Sequence, residues 1–184
     1  ENILGYDVGV LCFEGPPEQL NQTEFTQPAL LVTSLAAFHL VEGGPLTPSA
    51  VAGHSLGEYT ALVAAGAIGF REALGLVQKR GQYMAEAVSP GSGLVAAVLG
   101  LSEAEVYEAC QEASAFGIVA PANLNSPGQT VIAGEKVAVE RALELAKARG
   151  AKRVMPLPVS VPVHTPLMQV AADRLKKDIA SLDW

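Results

Sequence analysis

A serine flanked by two glycines carries the strongest chemical signal in the sequence. Gly53, Ser55 and Gly57 form a Gly-x-Ser-x-Gly motif between the short apolar run 50–52 and a segment of helical character. In a strand–turn–helix context only glycine fits two residues before and two residues after the serine. The motif predicts a nucleophilic Ser55 and a Leu56 N–H at a helix start, where it can stabilise an oxyanion. The alternative is a glycine-rich turn with a solvated serine.

A histidine near the end of the chain is the candidate base for this serine. His39 falls within a predicted helix. His54 is adjacent to Ser55 in the turn, and its ring is not expected to reach the Ser55 hydroxyl. His164 directly precedes a predicted helix, whose dipole disfavours the imidazolium and keeps the ring neutral. By elimination His164 is predicted to deprotonate Ser55. No Asp or Glu between the two residues stands out as the third member of a catalytic triad, so a carbonyl group is expected to orient the ring. The alternative is a structural histidine that flanks a helix.

An arginine occupies an unusual place on the helix that follows the serine motif. Apolar residues recur at helical spacing from Phe70 to Val88. At about 100° per residue, Arg80 lies about 60° from Val77, at the edge of the apolar stripe. A guanidinium there is unfavourable without a partner. Arg80 is therefore either a snorkelling or carboxylate-paired side chain, or an anion receptor that faces a cleft near Ser55.

The composition favours a soluble α/β protein. The chain has 184 residues, of which 49% are hydrophobic, 17% charged and 5% aromatic. This is the profile of an α/β fold rich in Ala, Leu and Val. The formal net charge of −7 argues against a general nucleic-acid role. No apolar run reaches the ~18 residues that a membrane span requires.

The cysteines and the chain ends add context. Cys12 and Cys110 fit no metal-binding or redox spacing. Cys110 shares an apolar helical face with Val106 and Ala113, which predicts a free cysteine in the core. Free cysteines favour a reducing compartment, and a cytoplasmic location is predicted. The chain begins at Glu1 without an initiator methionine or a signal peptide and stops within a helical pattern, so we expect it to be cut at both ends.

Several helices are predicted to position the candidate residues. Residues 1–25 are predicted to be mostly irregular, and Thr26 with Pro28 to open a helix that ends at residues 43–44. Further helices are predicted over 59–65, over 70–88 and from Thr165 onward. The apolar stripe of the helix that opens at Thr26 is Leu31, Leu35, Phe38 and Val41. That of the last is Leu167, Val170, Ala171, Leu175, Ile179 and Leu182.

A composition shift at residues 89–93 marks a domain junction. After it the predicted order is β-α-β-β-α-β, which is the ferredoxin-like pattern. Its strands are 95–99, 118–124, 130–133 and 153–157, and its helices are 102–113 and 137–149. The predicted domains are a catalytic core, residues 1–91 with 158–184, and a binding or covering lobe, residues 92–157. The fold class is α/β.

Five blocks of sequence together resemble the malonyl-CoA:acyl carrier protein transacylases of fatty-acid synthesis. They follow the family order along the whole chain. The blocks are residues 26–31 (TQPALL), 53–58 (GHSLGE), 79–81 (KRG), 125–129 (NSPGQ) and 158–164 (PVSVPVH). Five blocks in order are far more specific than the serine motif alone.

The resemblance implies a fold, a reaction and a set of site residues. The fold is an α/β-hydrolase-like core with an inserted ferredoxin-like subdomain. The reaction moves a malonyl group from coenzyme A to the phosphopantetheine thiol of acyl carrier protein through a seryl ester, without a metal or redox cofactor. The family's nucleophile falls on Ser55, its base on His164 and its malonate-binding arginine on Arg80. A pocket glutamine falls on Gln27 and one oxyanion donor on the Leu56 N–H.

An acidic carrier protein requires a basic patch on a chain whose own net charge is −7. Lys147, Arg149, Lys152 and Arg153 lie within seven positions. In the related enzymes the corresponding lobe faces the carrier protein, so Lys152 and Arg153 are the predicted contacts. The alternative is a solvated helix end at which the dipole favours cations.

The chain also departs from the family pattern. A Gly-Gln-Gly-type first strand, with the second oxyanion donor, and the C-terminal amide that fixes the histidine are both missing from the sequence. An inactive fragment or a binding module is therefore one alternative. A serine hydrolase is the other, either a thioesterase or a patatin-like enzyme. Patatin-like enzymes use an Asp-Gly pair that this sequence lacks, and a thioesterase has no need of Arg80.

Overall fold

The computed structural model describes residues 3–44, 48–159 and 161–182. It forms two compact units, Glu1–Tyr83 with Asp173–Trp184, and Met84–Ala172. The helices are α1 (Val8–Glu14), α2 (Pro17–Leu20), α3 (Thr23–Val41), α4 (Gly57–Ala64), α5 (Phe70–Glu86), α6 (Glu103–Ala113), α7 (Lys136–Ala148) and α8 (Gln169–Ala180). The strands are β1 (Gly93–Leu99), β2 (Val119–Ser126), β3 (Gln129–Glu135) and β4 (Arg153–Pro156).

The first segment is helical, so the prediction of an irregular stretch over residues 1–25 was wrong. The Asp7 carboxylate accepts hydrogen bonds from the Gly9 and Val10 N–H groups and caps α1. This cap satisfies donors that a helix start otherwise leaves without partners. Helix α1 buries only Leu11. A helix of this length cannot display the repeating apolar stripe by which longer helices are recognised.

Helix α3 begins one turn before the predicted start. It starts at Thr23, and Pro28 lies inside it. The hydroxyl of Thr26, the predicted first residue, donates to the carbonyl oxygens of Leu20 and Gln22, at 2.5 and 3.0 Å. Proline is tolerated early in a helix because the first turn leaves N–H groups unpaired, but at this depth it removes one internal hydrogen bond.

The predicted stripe of α3 is only half buried. Leu31 and Leu35 are buried as predicted, and Phe38 is partly buried. Val41 was predicted to be buried but is 66% exposed. It is the last residue of the helix, where the helix passes beyond the core. The core of the first unit consists of Leu4, Leu31, Leu35, Leu56, Ile68, Ala73, Leu74 and Val77.

Helices α3 and α5 meet at a backbone contact. A side-chain carbon added to Gly81 of α5 would lie 2.5 Å from the Glu24 Cα and 2.8 Å from the Thr23 carbonyl oxygen. Only glycine allows this approach without displacing the first turn of α3. The contact fixes the N-terminal end of α3 against the middle of α5.

We expect Gly81→Ala to lower the free energy of unfolding by about 1–3 kcal/mol, because the added methyl group forces two helix backbones apart. Urea denaturation followed by circular dichroism measures the change. Gly75→Ala on the same helix is the matched control, since its added carbon would lie 4.0 Å from the Ile3 side chain. That variant should be neutral or slightly stabilising through helix propensity. Equal effects of the two substitutions would contradict the close contact at Gly81.

The apolar run at residues 50–52 was predicted to be a strand and is not one. Residues 48–53 have no strand assignment, and the sheet found in the described residues belongs to the second unit. A strand requires a hydrogen-bonded neighbour. The described elements of the first unit are all helices, so they supply no such neighbour.

The second unit has the predicted order β-α-β-β-α-β. Its sheet is antiparallel, with strand order β2-β3-β1-β4. Ser102 and Glu105 form a capping box at the start of α6. Helices α6 and α7 cover one face of the sheet with a core that includes Val98, Val106 and Ala142. Val95 and Ala97 of β1 lie in a separate cluster on the opposite face.

Cys110 lies in the core of the second unit, as predicted. It is buried and free, and burial raises its pKa to about 12. Cys12 is also free and is partly buried. None of the helices in the described ranges has the length and apolar character needed to cross a membrane.

The last helix differs from its prediction in two respects. Residues Pro166–Met168 form a 3₁₀ turn, and α8 starts only at Gln169. Ala171 is buried as predicted, whereas Val170 is 62% exposed. A 3₁₀ turn has three residues per turn, so it shifts which positions of the following helix face the core.

Candidate active site

Ser55 sits in a strained turn at the start of α4. Its φ is +54°, a left-handed conformation that a non-glycine residue seldom adopts. A side-chain carbon on Gly53 would overlap the backbone of Gly57 and Glu58, so glycine is required at this position as predicted. The same requirement predicted for Gly57 was wrong, because a carbon added there meets nothing within 4 Å. The close approach is made by the backbone of Gly57 and not by its side-chain position.

The turn also places the Leu56 N–H at the beginning of a helix. The Gly57 N–H donates to the His54 carbonyl at 2.9 Å and the Glu58 N–H to the Ser55 carbonyl at 3.3 Å. The Leu56 N–H lies outside these two hydrogen bonds of the turn. The Leu56 side chain is buried in the core of the first unit. A buried anchor of this kind holds the N–H in a fixed direction, as an oxyanion donor requires.

Arg80 contacts the candidate nucleophile directly. Its Nη2 donates to the Ser55 Oγ at 3.1 Å, and its Nη1 donates to the Gln27 Oε1 at 2.5 Å. The structure therefore brings together Ser55, Arg80 and Gln27, three of the residues singled out in the sequence. The two hydrogen bonds join Arg80 to residues that lie 25 and 53 positions before it in the chain.

The guanidinium of Arg80 is only partly exposed, and its surroundings are neutral. Its Cζ lies 5.8 Å from the centre of the Tyr59 ring, within cation–π range. Burial lowers the pKa of Arg80 and raises that of Tyr59. No carboxylate in the described part of the chain forms an ion pair with Arg80. A partly buried cation with neutral partners favours an incoming anion, so the carboxylate-paired alternative for Arg80 is not supported.

Sequence reasoning missed two members of this cluster. Tyr59 forms one wall beside Arg80, and Thr23 accepts a hydrogen bond from the Gln27 Nε2 at 2.9 Å. Thr23 and Gln27 are four positions apart on α3, a spacing that brings side chains together on a helix. The i,i+4 spacing of Thr23 and Gln27 can be read from the sequence, but the sequence does not indicate that these side chains lie beside Arg80.

His164 belongs to the second unit. It is exposed and has φ +58°, and it lies two residues before the 3₁₀ turn at Pro166–Met168. The neighbouring Thr165 is buried, and its hydroxyl donates to the Pro162 carbonyl at 2.7 Å. That hydrogen bond fixes the backbone beside the histidine. The pairing of His164 with Ser55 remains a prediction.

The two predicted docking residues also lie in the second unit, at the start of β4. Arg153 is exposed, and the Lys152 side chain packs over Gly100. Lys152 lines an open depression of about 880 Å³ together with the β2–β3 turn. Arg149 is engaged by Glu112 at 2.8 Å, whereas Lys152 and Arg153 have no ion-pair partner in the described ranges. Their cationic groups therefore remain available for an external anion.

Comparison with known protein families decides the class of this site. Residues 2–183 match the family model described as the acyl transferase domain. The chain belongs to the acyl transferase domain family. The resemblance stated from the five sequence blocks is thereby confirmed. Among the described residues of this acyl transferase chain, no group of three or more His, Cys, Asp or Glu side chains could hold a metal ion.

Named relatives are similar along almost the whole chain. The malonyl CoA-acyl carrier protein transacylase of Escherichia coli K12 is 53% identical over 182 residues, which cover 98% of this chain and 59% of that protein. The protein of the same name from Bacillus subtilis is 48% identical, over 94% of this chain and 55% of its own length. The chain thus spans less than three-fifths of the length of these curated relatives.

Solved structures give the same result. The malonyl CoA-acyl carrier protein transacylase of Coxiella burnetii superposes with a TM-score of 0.95 at 55% identity, over 99% of this chain and 58% of that chain. A malonyl-transacylase in complex with a type II PKS acyl-carrier protein also gives a TM-score of 0.95, at 51% identity, over 99% and 59% of the two chains. The α/β fold is shared with these structures.

Proposed function

We propose that this protein transfers a malonyl group from coenzyme A to the phosphopantetheine thiol of acyl carrier protein, in fatty-acid biosynthesis. The observation that carries the proposal is the contact of Arg80 with Ser55 at 3.1 Å. A serine ester formed there would hold a malonyl carboxylate within reach of a partly buried cation that lacks a carboxylate partner. Named transacylases of similar sequence support the choice of substrate.

In the first half-reaction, His164 takes the proton of the Ser55 hydroxyl as Oγ attacks the thioester carbonyl. The Leu56 N–H donates to the oxyanion that develops on the carbonyl oxygen. The carbon–sulfur bond then breaks, and the coenzyme A thiolate receives the proton from His164. The product is a malonyl ester on Ser55, with its carboxylate held by two N–H groups of Arg80.

In the second half-reaction the thiol of the carrier protein, and not a water molecule, accepts the malonyl group from Ser55. His164 removes the thiol proton, the thiolate attacks the ester carbonyl, and the Ser55 oxygen leaves with the proton from His164. Both half-reactions are acyl transfers, so they require no redox cofactor. The Leu56 N–H is proposed to stabilise the oxyanion and Arg80 the carboxylate, and we propose that no metal takes part. Binding of the carboxylate by Arg80 orients the ester so that the thiol reaches its carbonyl carbon.

We also propose the finer fold and the domain boundaries. Residues 1–91 with 158–184 would belong to an α/β-hydrolase-like core, and residues 92–157 would form an inserted ferredoxin-like subdomain. The strand order β2-β3-β1-β4 with two helices on one face supports the second assignment. The two compact units have other boundaries, because the second unit comprises residues 84–172.

Intact-mass measurement tests the proposed reaction. The protein, expressed from its whole coding sequence, is mixed with malonyl-CoA or with acetyl-CoA, and the covalent adduct is measured before and after addition of carrier protein. We expect a malonyl adduct in excess over acetyl, and its transfer to the carrier thiol. An adduct lost to water at the same rate with and without carrier protein would indicate a hydrolase. Complete absence of an adduct would indicate a non-catalytic module.

We propose Lys152 and Arg153 as contacts for the acidic carrier protein. Reversing both charges to glutamate should raise the apparent KM for carrier protein roughly tenfold or more and leave that for malonyl-CoA unchanged, since rim charges act mainly on encounter. Steady-state kinetics at low ionic strength measure both constants. Lys176→Glu with Lys177→Glu is the matched control, because both lysines are exposed on α8 and the change in net charge is the same. An equal rise in KM for carrier protein in both double variants would refute a specific patch.

A further inference from the structure

Behind the Arg80 guanidinium, a short hydrogen-bond chain leads into the first turn of α3. The Gln27 side chain is buried, with 5% exposure. Its Oε1 accepts from the Arg80 Nη1 at 2.5 Å, and its Nε2 donates to the Thr23 Oγ1 at 2.9 Å. The chain Thr23–Gln27–Arg80–Ser55 therefore runs without a break from the start of one helix to the candidate nucleophile.

The orientation of the Gln27 amide decides how this chain works. The oxygen of an amide accepts and its nitrogen donates, whereas a guanidinium only donates. If the amide were reversed, its NH₂ group would face the Arg80 N–H groups and repel them. The guanidinium, which only donates, therefore sets the oxygen towards itself, and the Thr23 hydroxyl accepts from the nitrogen at the other end of the amide. Without that acceptor, the buried nitrogen would lose its hydrogen bond to Thr23, and the amide would be held less firmly at that end.

The placement of Thr23 is itself well defined. The carbonyl of Thr23 lies 2.8 Å from where a side-chain carbon on Gly81 would be, and Gly81 directly follows Arg80 in α5. The hydroxyl acceptor and the guanidinium are thus carried by two backbones in van der Waals contact. A shift of α3 against α5 would therefore move Thr23 and Gln27 together relative to Arg80.

We propose that Thr23 is a positioning residue for acyl-group selection: its hydroxyl anchors the nitrogen of the Gln27 amide, and the oxygen of that amide holds the Arg80 guanidinium in the direction that receives the substrate carboxylate. The proposal rests on the proposed malonyl-transfer function for its effect on substrates. Its structural part concerns only the side chains of Thr23, Gln27 and Arg80. Thr23 itself touches neither the substrate nor the reacting atoms.

The structural part is tested without catalysis. The side-chain signals of Gln27 and Arg80 are recorded by ¹⁵N NMR in the wild type, in Thr23→Val and in Thr23→Ser. Valine has the shape of threonine without its hydroxyl, and serine keeps the hydroxyl. We expect exchange of the Gln27 amide protons with solvent to accelerate about tenfold or more in Thr23→Val, with a shift of the Arg80 signals, and to stay near wild type in Thr23→Ser. Unchanged Gln27 and Arg80 signals in Thr23→Val would overturn the proposal.

The functional part is tested by kinetics on the same three proteins, expressed from the whole coding sequence. We expect Thr23→Val to lower kcat/KM for malonyl-CoA by roughly 5- to 100-fold while acetyl-CoA changes by less than about twofold, and Thr23→Ser to restore malonyl use. A parallel loss for both substrates would make Thr23 merely structural and overturn the inference. A wild type that shows no preference for malonyl over acetyl would instead overturn the proposed function, whatever the NMR signals show.

Discussion

Ser55→Ala is expected to abolish the covalent malonyl adduct completely. The Ser55 Oγ lies 3.1 Å from the Arg80 guanidinium, the proposed substrate anchor, and Ser55 directly precedes Leu56, whose N–H is the proposed oxyanion donor. Alanine retains the strained turn but has no atom that can form the ester. Intact-mass spectrometry after incubation with malonyl-CoA measures the loss, and peptide mapping of the wild type locates the modified residue.

The matched comparison for this prediction is His164→Ala. Removing a positioned base should slow adduct formation by roughly 10²–10⁴-fold and still leave a slow reaction, because the nucleophile remains. His39→Ala is the control, since His39 is an exposed residue paired with Glu42 at 2.5 Å. Equal labelling of wild type and Ser55→Ala would refute the serine nucleophile. Equal rates for the two histidine variants would remove His164 from the mechanism.

Arg80→Ala is expected to remove the preference for malonyl over acetyl. Malonyl differs from acetyl by one carboxylate, and a largely desolvated carboxylate requires a partner that is always charged. Loss of that partner should cost about 2–5 kcal/mol, or roughly 30- to several-thousand-fold in kcat/KM for malonyl-CoA. Acetyl-CoA makes no such contact, so its use should stay level or rise. Steady-state kinetics with both substrates measure the ratio.

Two further variants separate charge from geometry at this position. Arg80→Lys keeps the charge but loses the paired N–H donors, so malonyl use should fall between that of wild type and Arg80→Ala. Lys79→Ala is the neighbouring control, because Lys79 points to Asp178 at 2.5 Å and not to Ser55. Its effect should be equal for both substrates. Should Arg80→Ala slow malonyl and acetyl transfer in parallel, Arg80 is a structural residue only.

The parts of the fold that could be predicted are those whose sequence pattern repeats. The second unit follows its predicted element order because each strand and helix is long enough to show its own period and is closed by a turn signal. Helix α1 could not be predicted in this way. It is only seven residues long and depends on the Asp7 side chain as a cap.

Some residues of the candidate site could likewise be predicted from local sequence, and others could not. Ser55 follows from a local motif, since the residues that shape its turn lie within two positions of it. Arg80 could be placed only at the edge of a stripe, and its partners lie 25 and 53 residues away. The role proposed for Thr23 depends on the contact of α3 with α5 at Gly81, and a contact between distant segments leaves no periodic signal in either of them.

The backbone conformation of two proposed catalytic residues has a consequence for how this protein tolerates substitution. Among the described residues, Ser55 and His164 are the two non-glycine residues with left-handed φ. Each such conformation disfavours the folded state by roughly 1–2 kcal/mol relative to glycine. Selection for thermal robustness alone would therefore replace the very residues proposed to carry the chemistry. An engineer who ranks substitutions by gain in stability should expect inactive variants near the top of that ranking.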